Sequence, residues 1–404
     1  MMKKRILAAA LATIFTVASL TGCGASTDEN TTATGAGSEA AAAATTDIDS
    51  IGDVKLTVLC GYAGEDPHGQ YVYSYAEEYM KEHPNVKIEI QAISTNDIYT
   101  KLSAMATTPE DLPQIFMTSA DAVATLYDLG LTRDLTGLIS DDLAGEFANG
   151  VLDSCKLDDK IVYFPIAIQP QAIIYRKDRF EEAGLTIPTT WDEFIDCAKT
   201  LTKDSNGDGE VDQWGFGMVG SNNSSGQSRF MSYLWSNGVD CVTGEDGDFS
   251  TDLKADNKTF TDAFAKWTQM NNDGIVPIGI TEVDYPTAAN YFAMGYTSMF
   301  MTGSNALGVA YANNPDLKGK LGSFKLPGDY PGTMLGTEGY AVSAYATDEE
   351  AAAAIDYLRF FIEHDDQMMF WQSSGKIPST VEGQKADYIT GDDYAGYLQQ
   401  IADG

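Results

Sequence analysis

Lys55–Leu59 reads K-L-T-V-L, with apolar and polar positions alternating over β-favouring residues, which predicts a strand. Helical spacing takes over across Tyr71–Glu82, alternation returns in "NVKIEIQAI", and a second helical stretch covers Asn96–Thr107. Gln114–Met117 predicts a short strand and Ala120–Leu129 a helix. Strand and helix alternate, so the expectation is an α/β layered lobe with a mainly parallel sheet. The same grammar restarts after "DDKIVYFPIAIQPQAIIYRKDRF". There, Thr190 followed by Glu193 predicts a capping box, in which hydroxyl and carboxylate satisfy the exposed amides of a helix start. Leu201–Gly217 reads as loop, "SRFMSYLWSNG" as helix, and "KTFTDAFAKWTQMNNDG" as an amphipathic helix closed by Gly274. Trp235 and Trp371 sit in apolar-periodic surroundings and are assigned to core; His83, before Pro84, is assigned to a helix C-terminus. No fixed period recurs, which argues against a solenoid.

The N-terminus adds an address. A cationic head, "MMKKR", precedes the apolar run Ile6–Ser19, which is too short for a permanent span and reads as an export signal. It ends in Leu20-Thr21-Gly22-Cys23, which resembles the bacterial lipobox, with Cys23 as the lipid attachment point. Residues 24–50 offer little apolar surface to bury and predict a flexible tether. The expectation is a body held by a lipid at the outer face of a membrane.

Twenty-five basic residues against 59 acidic ones give a formal charge of −34, a field that repels nucleic acid and anionic lipid. Cys60, Cys155, Cys197 and Cys241 follow Cys23 at wide spacings without C-x-x-C, which excludes a zinc-ribbon pattern and leaves disulfide pairing open. The histidines, His68, His83 and His364, are scattered. No G-x-S-x-G elbow, P-loop or H-E-x-x-H is present. Twenty-one tyrosines and five tryptophans, with many amides and carboxylates, suit a sugar, which has apolar C–H faces and a rim of hydroxyls.

Five segments in order, from "GEDPHGQYVYSYAEEYMKEHPNVKIEI" through "LPQIFMTSADAVATLYDLGLTRDLTGLI", "FPIAIQPQAIIYRKDRFEEAGLTIPTTWDEFIDCAKTLT" and "FAMGYTSMFMTGSNALG" to "EEAAAAIDYLRFFIEHDDQMMFWQSSGKIPS", resemble the extracellular solute-binding proteins of bacterial ABC sugar importers, the family of maltose-binding protein. Pro165–Lys177 carries the resemblance most specifically. It implies a two-lobed α/β periplasmic-binding-protein-like fold of type II, with a cleft between lobes joined by a multi-strand hinge. The implied divisions are a signal over 1–22, a tether over 23–50, a first lobe from 51–166 and 327–372, and a second from 167–326 and 373–404, shortened at its end. The implied function is capture of a mono- or oligosaccharide by lobe closure and delivery to a membrane permease by a monomeric, non-enzymatic chain.

The resemblance also nominates ligand-binding residues. Asp121 matches an acidic residue that accepts sugar hydroxyls, with helix capping as its alternative role. Gln169 stands where a glutamate is usual on the crossing segment, and an amide both donates and accepts. Tyr62 follows the first strand at the lobe edge. Asn305 replaces a stacking tryptophan, which implies a different ligand or a different aromatic. Glu338 and Tyr340 lie where the chain recrosses.

Alternatives stay open. A polyamine suits the acidic, aromatic composition, whereas an anion requires cleft arginines, of which Arg229 is the main candidate. A glycoside hydrolase requires two carboxylates about 5 to 9 Å apart, with Asp121 and Glu338 as the pair to examine. A calcium-organised scaffold is suggested by "KDSNGDGEVDQWGFG", where Asp204, Asn206, Asp208, Glu210 and Asp212 fall at the first five odd-numbered positions of a calcium loop. Position 12 is Gly215, where such loops place a bidentate glutamate, so a remote carboxylate would have to close the site, with a solvated turn as the alternative; any calcium is expected to pin this loop, and no cofactor is required.

Overall fold

The computed structural model describes residues 47–64, 69–245, 248–251, 253–330, 332–363, 372 and 374–403. The signal, Cys23, the tether to residue 46, His68, His364 and Trp371 lie outside the described residues. In chain order the first elements are β1 (Val54–Cys60), α1 (Gly69–Glu82), β2 (Val86–Ala92), α2 (Thr95–Met105), β3 (Ile115–Ser119), α3 (Val123–Asp128) and α4 (Asp141–Ala144). A small ribbon, β4 (Lys156–Leu157) and β5 (Lys160–Ile161), leads to β6 (Phe164–Ile168), β7 (Ala172–Arg176), α5 (Lys177–Ala183) and α6 (Trp191–Leu201). There follow β8 (Trp214–Gly217), α7 (Ser224–Ser236), β9 (Thr243–Glu245), β10 (Asp248–Ser250), α8 (Lys258–Asn272), α9 (Tyr285–Met294), β11 (Thr297–Thr302), α10 (Asn305–Asn313) and β12 (Leu321–Phe324). The chain finishes through β13 (Glu338–Val342), α11 (Asp348–Glu363), β14 (Ile377–Pro378) and α12 (Ala395–Asp403).

Two sheets organise these elements. The larger runs β14-β6-β13-β3-β1-β2 and the smaller β12-β7-β11-β8. Among the described residues only β1 with β2, β1 with β3, and β11 with β8 pair in parallel, so the expected mainly parallel sheet is in fact mixed. β13 enters the larger sheet directly from the return crossing and pairs antiparallel with both β3 and β6, and β14 adds antiparallel to β6 at the edge. Strand Trp214–Gly217 was hidden in the predicted loop because two glycines erase its alternation. The first of them, Gly215, lies so close to α6 that a Cβ there would be 2.0 Å from the Ala198 carbonyl oxygen.

Each sheet has its own aromatic core. On the larger, Tyr79 and Tyr357 meet edge to face at 5.3 Å, and Tyr79 Oη donates to Asp356 Oδ2 at 2.7 Å. Under the smaller, Trp191 packs on Tyr233 at 4.6 Å and Phe194 on Phe216 at 5.0 Å, while the indole N–H of Trp191 donates to Ser236 Oγ. Trp235 is partly buried against the core. The capping box forms as read: Glu193 N–H donates to Thr190 Oγ1 at 3.2 Å, and Thr190 N–H to Glu193 Oε2 at 3.1 Å.

The tether ends sooner than residue 50. Ile48–Ser50 form a 3-10 turn capped by Asp47, and Ile48 is buried, because the Asn85 amide donates to its carbonyl at 2.8 Å and fixes it on the body. His83 follows α1, and its Nδ1 lies 2.9 Å from Asp49 Oδ1, so the ring serves this docked turn instead of capping helix carbonyls.

The chain crosses between the sheets at residues 169–171 and returns over 325–337. The two passages touch: Gln169 N–H donates to Leu335 O at 3.0 Å and Gln171 N–H to Thr333 Oγ1 at 3.1 Å. Gly336 has φ +60°, and a Cβ there would stand 2.7 Å from Gln169 O, so only glycine allows this approach. Residues 377–378, grouped with the second lobe from sequence, pair with β6 in the larger sheet, while α12 returns to the smaller one, where Gly396 N–H donates to Ser323 Oγ.

Candidate functional site

A cavity of ≈ 410 Å³ draws its lining from both sheets. Asp121 comes from the turn after β3, Gln169 and Gln171 from the first crossing, Met334 and Gly336 from the second, and Glu338 from the start of β13. The smaller sheet contributes Arg229 from α7, Tyr285 from α9 and Asn305 from α10. Four sequence-nominated residues, Asp121, Gln169, Asn305 and Glu338, therefore meet around one volume although they span more than half the chain.

Asp121 is no helix cap. The N-cap of α3 is Ala122, and Asp121 Oδ1 instead accepts from Ser119 Oγ at 2.5 Å. Gln169 Nε2 reaches Glu338 Oε2 at 3.4 Å. Asn305 Nδ2 donates to Tyr285 Oη at 2.9 Å, so the position that lacks a tryptophan orients a tyrosine ring contributed by another helix.

Tyr62 does not line the cavity. It braces the residue that does, donating from Oη to Glu338 Oε1 at 2.5 Å. Lys376 Nζ lies 2.6 Å from both Glu338 Oε1 and Tyr62 Oη. Burial, then the Glu338 charge, pushes the Tyr62 phenol well above its usual range, so it remains a donor. Tyr340 is placed elsewhere: it is buried beside Phe361 in the larger core and does not line the cavity. A register shift between Glu338 and Gly339 separates the two neighbours.

Sequence reasoning missed Tyr285, Gln171 and Lys376, and raised Arg229 only as an anion alternative. Arg229 is 5 % exposed. Its Nε donates to Met301 O at 2.9 Å, one terminal nitrogen to Ser225 O at 2.8 Å and the other to Thr302 Oγ1 at 3.2 Å. The guanidinium carbon sits 5.1 Å from the Tyr285 ring centre and 5.7 Å from that of Phe300. Burial lowers its pKa to about 10, which leaves it charged at neutral pH. The Oε1 of Gln171 is buried and accepts no hydrogen bond among the described residues.

The loop that resembles a calcium site spends its carboxylates internally. Asp204 accepts from the backbone of Gly207 and Gly209, Asn206 from Asp208, Asp208 from Glu210, and Asp212 from Ser205. The amides of Gly209 and its neighbours hold the Asp204 carboxyl below its usual value. No group of three or more His, Cys, Asp or Glu able to hold a metal occurs among the described residues. The closing position has no room for a side-chain ligand, because Gly215 is pressed onto α6. Cys60, Cys155, Cys197 and Cys241 are all buried and free.

Two sheets joined by hydrogen-bonded crossings, with a polar cavity lined from both, define a two-lobed solute-binding protein of the periplasmic type. The chain belongs to the bacterial extracellular solute-binding proteins, whose sequence profile matches residues 62–368. It is 26% identical over 357 residues to the diacetylchitobiose binding protein DasA of Streptomyces coelicolor, covering 82% of this chain and 77% of that protein. It is 22% identical over 340 residues to the melibiose/raffinose/stachyose-binding protein MelE of Bacillus subtilis, covering 80% and 73%. Among solved structures it resembles maltose-bound T. maritima MalE3, with a TM-score of 0.70 at 22% identity over 87% of this chain and 88% of that one. The cyclic alpha-maltosyl-1,6-maltose binding protein of Arthrobacter globiformis gives 0.68 at 24% identity over the same shares.

Proposed function

We propose that the chain is the substrate-binding subunit of an ABC importer, capturing a mono- or oligosaccharide between its lobes and delivering it to membrane permease subunits. The observation that carries this reading is the cavity lined from both lobes by amides, carboxylates, hydroxyls and the Tyr285 ring. A sugar hydroxyl donates and accepts at once, so it suits the unpaired Gln171 oxygen and the acceptors of Asp121 and Glu338. The relatives named for diacetylchitobiose and for melibiose, raffinose and stachyose support the same ligand class. Ligand contacts made with both lobes favour the closed arrangement, and that differential affinity drives closure.

The chain acts without chemistry. Glu338 accepts from Tyr62 and Lys376 on Oε1 and from Gln169 on Oε2, so this carboxylate is occupied by protein partners, which speaks against its use in paired-carboxylate hydrolysis. A buried arginine on the wall also speaks against a polyamine. The signal and lipobox-like Leu20–Cys23 support lipid anchoring through Cys23 at the extracellular face of the membrane.

Thermal-shift screening of the mature body against a sugar and polyamine panel tests the proposal. Stabilisation reaches about 2.7 kcal/mol at a hundredfold excess over Kd, so a true ligand stands clear of the background. A panel in which spermidine shifts the transition and no sugar does overturns it.

A further inference from the structure

Arg229 is a buried cation on the cavity wall for which the described residues provide no carboxylate: no ion pair involves it, and its three protein partners are two backbone carbonyls and one hydroxyl. A guanidinium has five N–H donors, so two remain. The group is already pinned, between its three acceptors and beside the Tyr285 and Phe300 rings, and little side-chain entropy is left to lose when a ligand arrives. The other cation near the cavity is committed, since Lys376 is paired with Glu338. The remaining lining carboxylate, Asp121, comes from the opposite lobe and is tied to Ser119.

From this asymmetry we infer that the cavity takes a sugar bearing a carboxylate, a uronate, with Arg229 as its counter-ion and the hydroxyl rim turned toward Asp121. The inference rests on the sugar-binding reading and narrows it. A buried charge without a partner is costly, and a charge-assisted hydrogen bond to a carboxylate is stronger than one to a hydroxyl, so the site should discriminate acidic from neutral sugars. The separation of Arg229 and Asp121 between lobes also gives the ligand a direction: its anionic end meets the smaller lobe.

The test is calorimetric titration of the mature chain with D-galacturonate, D-glucuronate and digalacturonate, each against its neutral counterpart, with a sugar sulfate as a further arm. The expected result is at least tenfold tighter binding of one uronate than of its neutral counterpart, a ratio that falls below threefold in Arg229→Gln because the loss of affinity falls more heavily on the uronate. Should that variant fail to fold, the wild-type ratio and its reduction in Arg229→Lys, which keeps the charge and loses the planar fork, decide the matter. Neutral sugars binding as tightly as uronates overturn this inference and leave the sugar-binding reading standing. Preference for the sulfate overturns the carboxylate assignment, and failure of every sugar to bind overturns both readings.

Discussion

Lys376 Nζ lies 2.6 Å from Glu338 Oε1, with the two side chains 11% and 12% exposed, and Tyr62 Oη donates to the same oxygen. The triad joins the end of β1, the start of β13 and the segment before β14, and it holds the cavity carboxylate in place. Breaking a largely buried pair strands the remaining charge, so Lys376→Met should destabilise the protein by about 3 kcal/mol. Replacing both partners in Lys376→Met with Glu338→Leu should recover most of that loss while abolishing ligand binding. Urea denaturation of the two variants, with ligand titration beside it, checks both expectations.

Tyr340 separates a core role from a binding role. Its hydroxyl is buried without a hydrogen-bond partner among the described residues. Tyr340→Phe should therefore leave ligand affinity unchanged and raise stability by up to about 1 kcal/mol. A loss of affinity in this variant would show that the ring reaches the ligand.

Asp121 should behave in the opposite way. It lines the cavity without capping α3, so Asp121→Ala should weaken sugar binding roughly tenfold or more with little change in melting temperature. Isothermal titration and a thermal melt on the same variant distinguish this from structural damage.

The capping box has a pH signature. Amides and the hydroxyl of Thr189, with the Thr190 amide, hold the Glu193 carboxyl below its usual value. A depressed folded-state pKa contributes stability that is present above the unfolded value, about 4.3, and lost as pH falls through the folded one. The stability difference between wild type and Glu193→Gln should thus be visible at pH 7 and fade below about pH 4. Denaturation midpoints across that range measure it; a difference constant with pH would contradict the assignment.

Gly215 decides what the acidic loop can become. Supplying the missing closing ligand as Gly215→Glu should not create a calcium site, because its Cβ would collide with the Ala198 carbonyl of α6. The expected outcome is a lowered melting temperature insensitive to calcium or chelator.

Local periodicity was enough to read β1, β2 and β3 and the helices α1, α2, α3, α7 and α8, because each must present an apolar face of period 3.6 or 2 to a core. The capping box at Thr190 and Glu193 was equally legible, since both partners lie within one turn of the chain. The strand at Trp214–Gly217 was not, because glycine leaves no side-chain pattern. Nor could the sequence distinguish Glu338 from Tyr340, two residues apart, one in the cavity and the other in the core; the register shift beside Glu338 exists only once β13 pairs with β6.

What the sequence by itself determined is the alternation of strand and helix in the first part of the chain, the family and the acidic, aromatic character of the chain. Tertiary structure alone decided that Arg229, Tyr285 and Asn305 share a wall and that Lys376 neutralises Glu338. These residues are far apart in sequence, and polar side chains leave no periodic trace. Their roles follow from which charges burial brings together and which it leaves without a partner.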